Sequence, residues 1–284
     1  MNWQRPPPNR VHATVFCTEY LFHEFFNNGG KYAQSFVKLF GLLCTCGCAV
    51  GTAAAATTDD GGELLENEGR FDTLCECVLA AYASELSYDL ISSVAPFYYK
   101  FSFAEIRDYY ARLADSSGVK MLVYHMPAFS GVGMGMDEIS SFLGDGRFAG
   151  IKYTSNDFFT MERCKALYPE KLIFNGYDEM LLSGLSMGAD GGIGSTYNFM
   201  ADKFVTIRSL FLEGKLDEAR SVQNEANRII AILCKIGVMQ AEKEIMNQLG
   251  IDFGSCRAPF KDASEESKAL IAKEIIPFIK DFKG

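Results

Sequence analysis

The residue with the clearest potential for chemistry is Lys152, which interrupts the otherwise uncharged run Ala149–Thr154. In an extended strand, side chains alternate between faces, so Gly150, Lys152 and Thr154 share one face. Burying a lysine in such a run is costly unless it is paired, solvated at its tip or partly neutral. A neutral amine attacks a ketone carbonyl, and the resulting iminium accepts an electron pair. The run therefore indicates a Schiff-base lysine, and a strand-end lysine that reaches solvent is the alternative.

Five short motifs follow one another in the second part of the chain, and the third contains this lysine. They are Val94–Tyr99, Val123–Pro127, Gly150–Ser155, Asn175–Glu179 and Gly191–Asn198. Over about residues 85–284 their order and spacing resemble the pyruvate-dependent class I aldolases of the dihydrodipicolinate synthase/N-acetylneuraminate lyase superfamily. Within that family the motifs are most similar to the N-acetylneuraminate lyases.

The resemblance implies an activity. It is cleavage of N-acetylneuraminate into N-acetylmannosamine and pyruvate, through an imine on Lys152 and without a cofactor. Another 2-keto-acid aldolase of the same family is the alternative. The resemblance also implies a homotetramer whose partners are the small sugar acid and pyruvate.

Two tyrosines receive roles from the same resemblance. Tyr124 would give or take the proton of the aldehyde or hydroxyl oxygen. Tyr98 would come from a neighbouring subunit and link to Tyr124. For Tyr124 alone, a tyrosine that caps the core is the alternative interpretation.

The last three motifs also contain polar residues suited to a polyhydroxy substrate, because carboxylates and hydroxyls bind vicinal hydroxyls. By resemblance this set would hold the sugar part of the substrate. For Asp178 and Glu179, the alternative is an acidic pair favoured at the start of a helix. The glycines let the backbone approach a ligand closely. The set is Thr154, Gly176, Asp178, Glu179, Gly194 and Ser195.

The residues after the Tyr124–Pro127 motif separate two branches of the family. The dihydrodipicolinate synthases carry an arginine there, which binds a second carboxylate. Here Ala128–Val132 contains no arginine, which favours the sugar-acid lyases. Met239 stands where relatives often have an aromatic residue that lines the substrate site.

The elements that must position these residues alternate between strand and helix, which predicts a parallel sheet and a TIM (β/α)₈ barrel. In such a barrel the site lies at the carboxyl ends of the strands, where Tyr124, Lys152, Gly176 and Ser195 all fall. Besides the lysine strand, we predict strands at Leu90–Ala95, Met121–Tyr124, Lys171–Phe174 and Gly191–Ser195, and helices at Ser102–Ala114, Met136–Leu143, Asp157–Tyr168 and Glu179–Met187.

After Asn198 the strand patterns stop, and helical patterns continue to the end of the chain. A C-terminal helical extension is also what the resemblance implies. Periodicity predicts these helices at Phe204–Leu212, Leu216–Ile236, Gln240–Leu249 and Ser264–Phe282. We therefore expect three parts: 1–84 as an atypical segment in place of barrel strands 1–3, 85–198 as strands 4–8, and 199–284 as helices.

Residues 1–84 depart from the family. Its second strand ends in a Gly-Ser/Thr-Thr-Gly-Glu turn that holds the pyruvoyl carboxylate, and this sequence has no such turn. Instead it has an uncharged run, Leu39–Thr58, that is long enough for a membrane span but too rich in Gly, Thr, Cys and Ala for a good one. A shifted reading frame would preserve the length of this segment and scramble its content, so we expect frame-shifted or misassembled coding sequence here. True divergence of this one region is the alternative. A catalytically impaired barrel is the corresponding functional alternative.

Composition narrows the class of protein further. The formal net charge is −9 and no basic block stands out, which argues against nucleic acid as a partner. The N-terminal residues lack the layout of a secretory signal, so we expect a cytoplasmic protein with reduced thiols and no membrane partner. Six of the nine cysteines precede residue 80. Their C-x-C spacing differs from that of the usual zinc sites, so we expect no metal.

Overall fold

The computed structural model of the chain describes residues 41–43, 80, 89–97, 99–256 and 258–279. Six parallel strands form one sheet in this part of the chain, and their order in space follows their order in sequence. A sheet without a reversal of strand order has the arrangement of a TIM barrel and not of a doubly wound fold. The strands are β1 (Gly41–Leu43), β2 (Leu90–Val94), β3 (Lys120–His125), β4 (Phe148–Tyr153), β5 (Leu172–Asn175) and β6 (Gly191–Gly192).

Helices occupy the connections from β2 to β6, and four more follow β6. The predicted α/β class and the C-terminal helices are therefore confirmed. Short 3₁₀ turns at Asp178–Met180 and Ile276–Phe278 complete the described elements. The helices are α1 (Phe103–Ser117), α2 (Pro127–Ser130), α3 (Met136–Leu143), α4 (Phe158–Leu167), α5 (Leu181–Ser186), α6 (Tyr197–Leu212), α7 (Leu216–Ile236), α8 (Val238–Gln248) and α9 (Glu265–Glu274).

Local sequence signals account for several helix boundaries. A capping box begins α1, since Ser102 N donates to Glu105 Oε2 at 2.6 Å and Glu105 N donates to Ser102 Oγ at 3.3 Å. The predicted bounds of α3 and α7 agree with the structure. These helices were predictable because their start and stop signals lie within a few residues of their ends.

Other boundaries differ from the prediction. The predicted helix Ser264–Phe282 is wrong between Glu274 and Ile279, because Pro277 lacks an N–H and lies in a 3₁₀ turn instead, and its last three residues lie outside the described residues. Pro127 stops β3 but also opens α2, at the first helical position where proline is tolerated. Helix α6 begins at Tyr197, upstream of the expected start, and Met200 (φ −138°, ψ 37°) interrupts it.

The strand predictions need two corrections. The expected strand Gly191–Ser195 is only the two-residue β6, after which the chain turns towards α6. Within the uncharged run Leu39–Thr58, where we expected no strand, Gly41–Leu43 pairs in parallel with Ile91–Ser93 of β2. Main-chain hydrogen bonds can hold a pairing of three residues. The sequence of such a short strand therefore shows little alternation of apolar and polar residues.

Apolar packing divides into two large clusters and a small one. One large cluster joins the strands to α1, α3 and α4, and the other joins α5 to the C-terminal helices. The small cluster contains Leu122, Phe174 and Ile193. By alternation Leu122 shares a face with Tyr124, and Phe174 is the register partner of Lys152. This cluster is therefore the apolar floor beneath the strand ends. Among the described helices, none has the length and apolar character needed to cross a bilayer.

Candidate active site

Lys152 and Tyr124 occupy paired positions on neighbouring strands. In the parallel register of β3 and β4, Tyr124 is the partner of Lys152. Lys152 is only 2% exposed, and its Nζ lies 3.9 Å from the centroid of the Tyr124 ring. A cation over the face of an aromatic ring is attracted by the ring quadrupole, more strongly when water is excluded. The ring thus stabilises the charged form of an amine that the fold has removed from solvent, and this amine must give up a proton before it can act as a nucleophile.

Asp178 lies buried beside the strand ends in the turn after β5. Its Oδ2 accepts hydrogen bonds from the N–H of Thr196 at 2.9 Å and from the Thr196 hydroxyl at 2.6 Å. Burial raises the pKa of Asp178 to about 6, although Thr196 and the charge of Lys152 oppose the rise. The carboxyl therefore remains mostly ionised at neutral pH and gains a proton in mild acid.

Gly194 is required by this position of Asp178. A Cβ atom at residue 194 would lie 1.3 Å from Asp178 Oδ1. Any side chain there would displace the carboxylate, because neither the backbone nor the buried turn can absorb such an overlap. The glycine lets the backbone approach Asp178 rather than supplying flexibility.

Thr154 and Gly176 form a second close contact at the next strand end. The N–H of Thr154 donates to His125 O at 2.8 Å, whereas its buried Oγ1 has no hydrogen-bond partner among the described residues. A Cβ at Gly176 would lie 1.8 Å from that oxygen. An unpaired buried hydroxyl lowers the stability of the folded protein. A ligand hydroxyl that pairs with the Thr154 hydroxyl therefore gains binding free energy.

Glu179 differs from its neighbour because its side chain is exposed. The main chain of the pair is held from α7: Gln223 Nε2 donates to Asp178 O, and Asn227 Nδ2 donates to Glu179 O, both at 3.1 Å. The pair does open a 3₁₀ turn, as the structural alternative required. Asp178 nevertheless bonds to Thr196 and not to the turn's own N–H groups, so a cap does not explain its carboxylate.

Ser195 has a partner that sequence reasoning missed. Its Oγ lies 2.5 Å from Oε1 of Glu242, a partly buried residue on α8. Burial, together with the charge of Asp178, raises the pKa of Glu242 to about 8, although Ser195 opposes the rise. The available signal was spacing, since Glu242 follows the expected lining residue Met239 by three positions and shares its helix face.

His125 lies behind the site. It is buried on the strand face opposite Tyr124, and its ring stacks on Tyr153 at a centroid distance of 4.9 Å. Burial lowers the pKa of His125 to about 4, so the ring is neutral at physiological pH. It therefore packs beneath the strand ends and supplies no charge to them.

Two groups of predicted residues lie outside the part that the structure describes. One is Tyr98, and the other is the cysteine group before residue 80. Within the described ranges, no set of three or more His, Cys, Asp or Glu side chains is arranged to hold a metal ion. The structure brings Lys152 against the Tyr124 ring and close enough to Asp178 for their charges to interact. The predicted residues at adjoining strand ends are Thr154, Gly176, Gly194 and Ser195.

Comparison with known proteins gives consistent matches. The dihydrodipicolinate synthetase family matches residues 60–276, starting upstream of the motifs. The chain is 38% identical to the N-acetylneuraminate lyase of Rhizobium meliloti (strain 1021) over 216 residues, covering 76% of this chain and 72% of that protein. It is 40% identical to the N-acetylneuraminate lyase of Histophilus somni (strain 2336) over 197 residues, covering 69% and 68%.

Solved structures agree with the sequence matches. The N-acetylneuraminate lyase of Fusobacterium nucleatum complexed with pyruvate superposes with a TM-score of 0.72 at 32% identity, covering 87% of this chain and 75% of that one. CdNal of Clostridium difficile in complex with mannosamine gives a TM-score of 0.69 at 37% identity, covering 72% and 70%.

Proposed function

The chain belongs to the dihydrodipicolinate synthetase family, and we propose that it is a Schiff-base aldolase that cleaves N-acetylneuraminate into N-acetylmannosamine and pyruvate. The observation that carries the proposal is the buried amine of Lys152 against the Tyr124 ring at a strand end. A desolvated lysine beside a phenol supplies both a nucleophile and a proton-transfer group.

The reaction begins when the neutral Nζ of Lys152 attacks the keto carbon, C2, of the open-chain sugar acid. The carbinolamine hydroxyl takes a proton from solvent and leaves as water, which gives a protonated imine. The Tyr124 phenol passes its proton to solvent, and the phenolate then takes the proton of the C4 hydroxyl as the C3–C4 bond breaks. The bond's electron pair moves into the iminium and gives an enamine, and the aldehyde departs. Protonation of the enamine at C3 and hydrolysis of the imine release pyruvate and restore the lysine.

The remaining polar groups bind the sugar part. The Asp178 carboxylate, the Ser195 hydroxyl and the Thr154 hydroxyl, which has no partner within the described part of the chain, can each pair with substrate hydroxyls. Glu179, being exposed, is suited to the far end of a long tail. The iminium accepts the electron pair of the broken C3–C4 bond, so the proposed reaction requires no cofactor.

Assembly and location extend the proposal. We also propose a homotetramer, on the resemblance of the motifs to the family, in which Tyr98 of a neighbouring subunit supports Tyr124, and a location in the cytoplasm, on the sequence before the motifs. We also keep the division into 1–84, 85–198 and 199–284 as part of this proposal.

Another 2-keto-acid aldolase activity of the family remains the alternative on the same residues. A catalytically impaired barrel is favoured by one observation, the lack of the carboxylate-binding turn in the sequence before residue 85.

The test uses the full-length protein with N-acetylneuraminate, measuring pyruvate and N-acetylmannosamine by mass spectrometry. Pyruvate with borohydride should leave one reduced pyruvoyl adduct on the peptide containing Lys152. Lys152→Ala should lose both adduct and turnover. Lys165→Arg is the matched control, because Lys165 is bound to Asp190 at 2.9 Å, and should keep both. An adduct that persists in Lys152→Ala would contradict the mechanism, and an adduct without turnover would indicate the impaired barrel.

A further inference from the structure

We propose that Glu242 is a specificity-determining residue that recognises the hydroxyl-bearing tail of the substrate together with Ser195. The proposal deepens the lyase function and rests on it. Glu242 lies on α8, outside the strand-end motifs, and reaches the site from the C-terminal helices. Its carboxyl group lies within hydrogen-bond distance of the Ser195 hydroxyl, at 2.5 Å.

The two faces of α8 have different surroundings. Lys243 and Glu244 line a surface cavity of about 240 Å³ between α8 and the segment before α9. Glu244 Oε1 accepts a hydrogen bond from Gln248 at 2.7 Å on that side. Glu242 does not line this cavity and instead contacts Ser195. The helix therefore directs one carboxyl to the strand ends and the next one away from them.

The Ser195–Glu242 pair suits neighbouring hydroxyls. A carboxyl group bonded to a hydroxyl presents donor and acceptor atoms together, as two vicinal hydroxyls of a polyol do. Glu242 is also close enough to Asp178 for the charge of Asp178 to act on it. In this proposal Asp178, Glu179 and Glu242 together serve the substrate tail. A carboxyl group pairs with hydroxyls whether it is ionised or protonated, so the set suits a polyhydroxy tail.

The role of Glu242 is confined to the tail. The imine forms on Lys152 at β4, whereas Ser195 and Glu242 meet beyond β6. A residue at this end should discriminate between substrates by their tails, because it contributes to binding where the substrates differ.

The test compares Glu242→Leu and Glu242→Gln with wild type on N-acetylneuraminate and on a five-carbon 4-hydroxy-2-oxo acid that lacks the polyhydroxy tail. For Glu242→Leu, the ratio of kcat/KM for the long substrate to that for the short one should fall about tenfold, mainly through KM of the long substrate. Glu242→Gln keeps a donor and an acceptor and should lose less. Glu244→Gln is the matched control on the same helix and should keep the wild-type ratio.

A second readout separates this proposal from the lyase function. N-acetylneuraminate should compete with pyruvate for borohydride trapping at Lys152, and Glu242→Leu should require about tenfold more of it. Competition without turnover would contradict the lyase function and still test Glu242. An unchanged ratio and unchanged competition in a folded Glu242→Leu protein would overturn the role of Glu242 alone. Absence of both turnover and competition in wild type would overturn both proposals.

Discussion

The Nζ of Lys152 lies 3.9 Å from the centre of the Tyr124 ring, and the two residues are register partners on adjacent strands. Their separation is therefore set by the main-chain ladder of the sheet and not by flexible loops. In the proposed roles of nucleophile and proton-transfer group, the two side chains need little reorganisation before reaction.

The first prediction concerns the Tyr124 hydroxyl. Tyr124→Phe keeps the ring against Lys152 but removes the group that moves the proton, so kcat should fall by about 10²–10⁴. Pyruvate trapping at Lys152 should persist, because imine formation uses the amine. Turnover and trapping are measured on the same preparation. Loss of trapping with an unchanged melting temperature would show that the hydroxyl is needed earlier than proposed.

The second prediction concerns Gly194. In Gly194→Ala the new Cβ would overlap the Asp178 carboxylate, so KM for N-acetylneuraminate should rise and the protein should lose about 1–3 kcal/mol of stability. Substrate titration and thermal melting measure the two effects. Gly133→Ala is the control, since its Cβ would meet nothing within 4 Å. Equal behaviour of the two variants would mean that Asp178 has room to move.

The third prediction concerns the exposed Glu179. Glu179→Ala removes a carboxylate but leaves the main-chain carbonyl that Asn227 holds, so the fold should be unaffected. Cleavage of N-acetylneuraminate should weaken more than cleavage of a short keto acid, because only the long substrate reaches this residue. The measurement is kcat/KM on both substrates. Equal losses on the two would indicate a structural role.

The fourth prediction is a pH dependence of stability from Asp178. Its folded pKa is about 6, above the ordinary value of 3.8, so the folded state holds the extra proton between these values. Stability from this group is present below pH 4 and is lost as pH rises through 6. The free energy of unfolding of wild type minus that of Asp178→Asn should fall by on the order of 2 kcal/mol between pH 4 and 7. Denaturant melts at each pH measure it, and a flat difference would contradict a raised pKa.

The closeness of Lys152 and Tyr124 was predictable from sequence because both residues lie near strand ends inside short, characteristic motifs. Asp178 and Thr154 follow strands inside motifs of the same kind. The contact between Ser195 and Glu242 was not, since 47 residues separate them and only the packing of α8 brings them together. Likewise, the main-chain pairing of Gly41–Leu43 leaves no alternating pattern to read. Short motifs thus identify the residues of the candidate site, whereas their contacts with distant parts of the chain depend on tertiary structure.

Helix α7 holds the turn after β5 through main-chain atoms of the turn. The side chains of Gln223 and Asn227 donate hydrogen bonds to the carbonyl oxygens of residues 178 and 179. Gln223 Oε1 also accepts a hydrogen bond from the N–H of Leu182 at 3.1 Å. None of these bonds uses the side chains at 178 and 179. The exposed side chain at 179 can therefore vary while the turn keeps its path, whereas the buried carboxylate of Asp178 is also bound to Thr196. If the proposed function holds, a substitution at residue 179 changes the contact with the substrate tail and leaves the main-chain path and Lys152 unchanged.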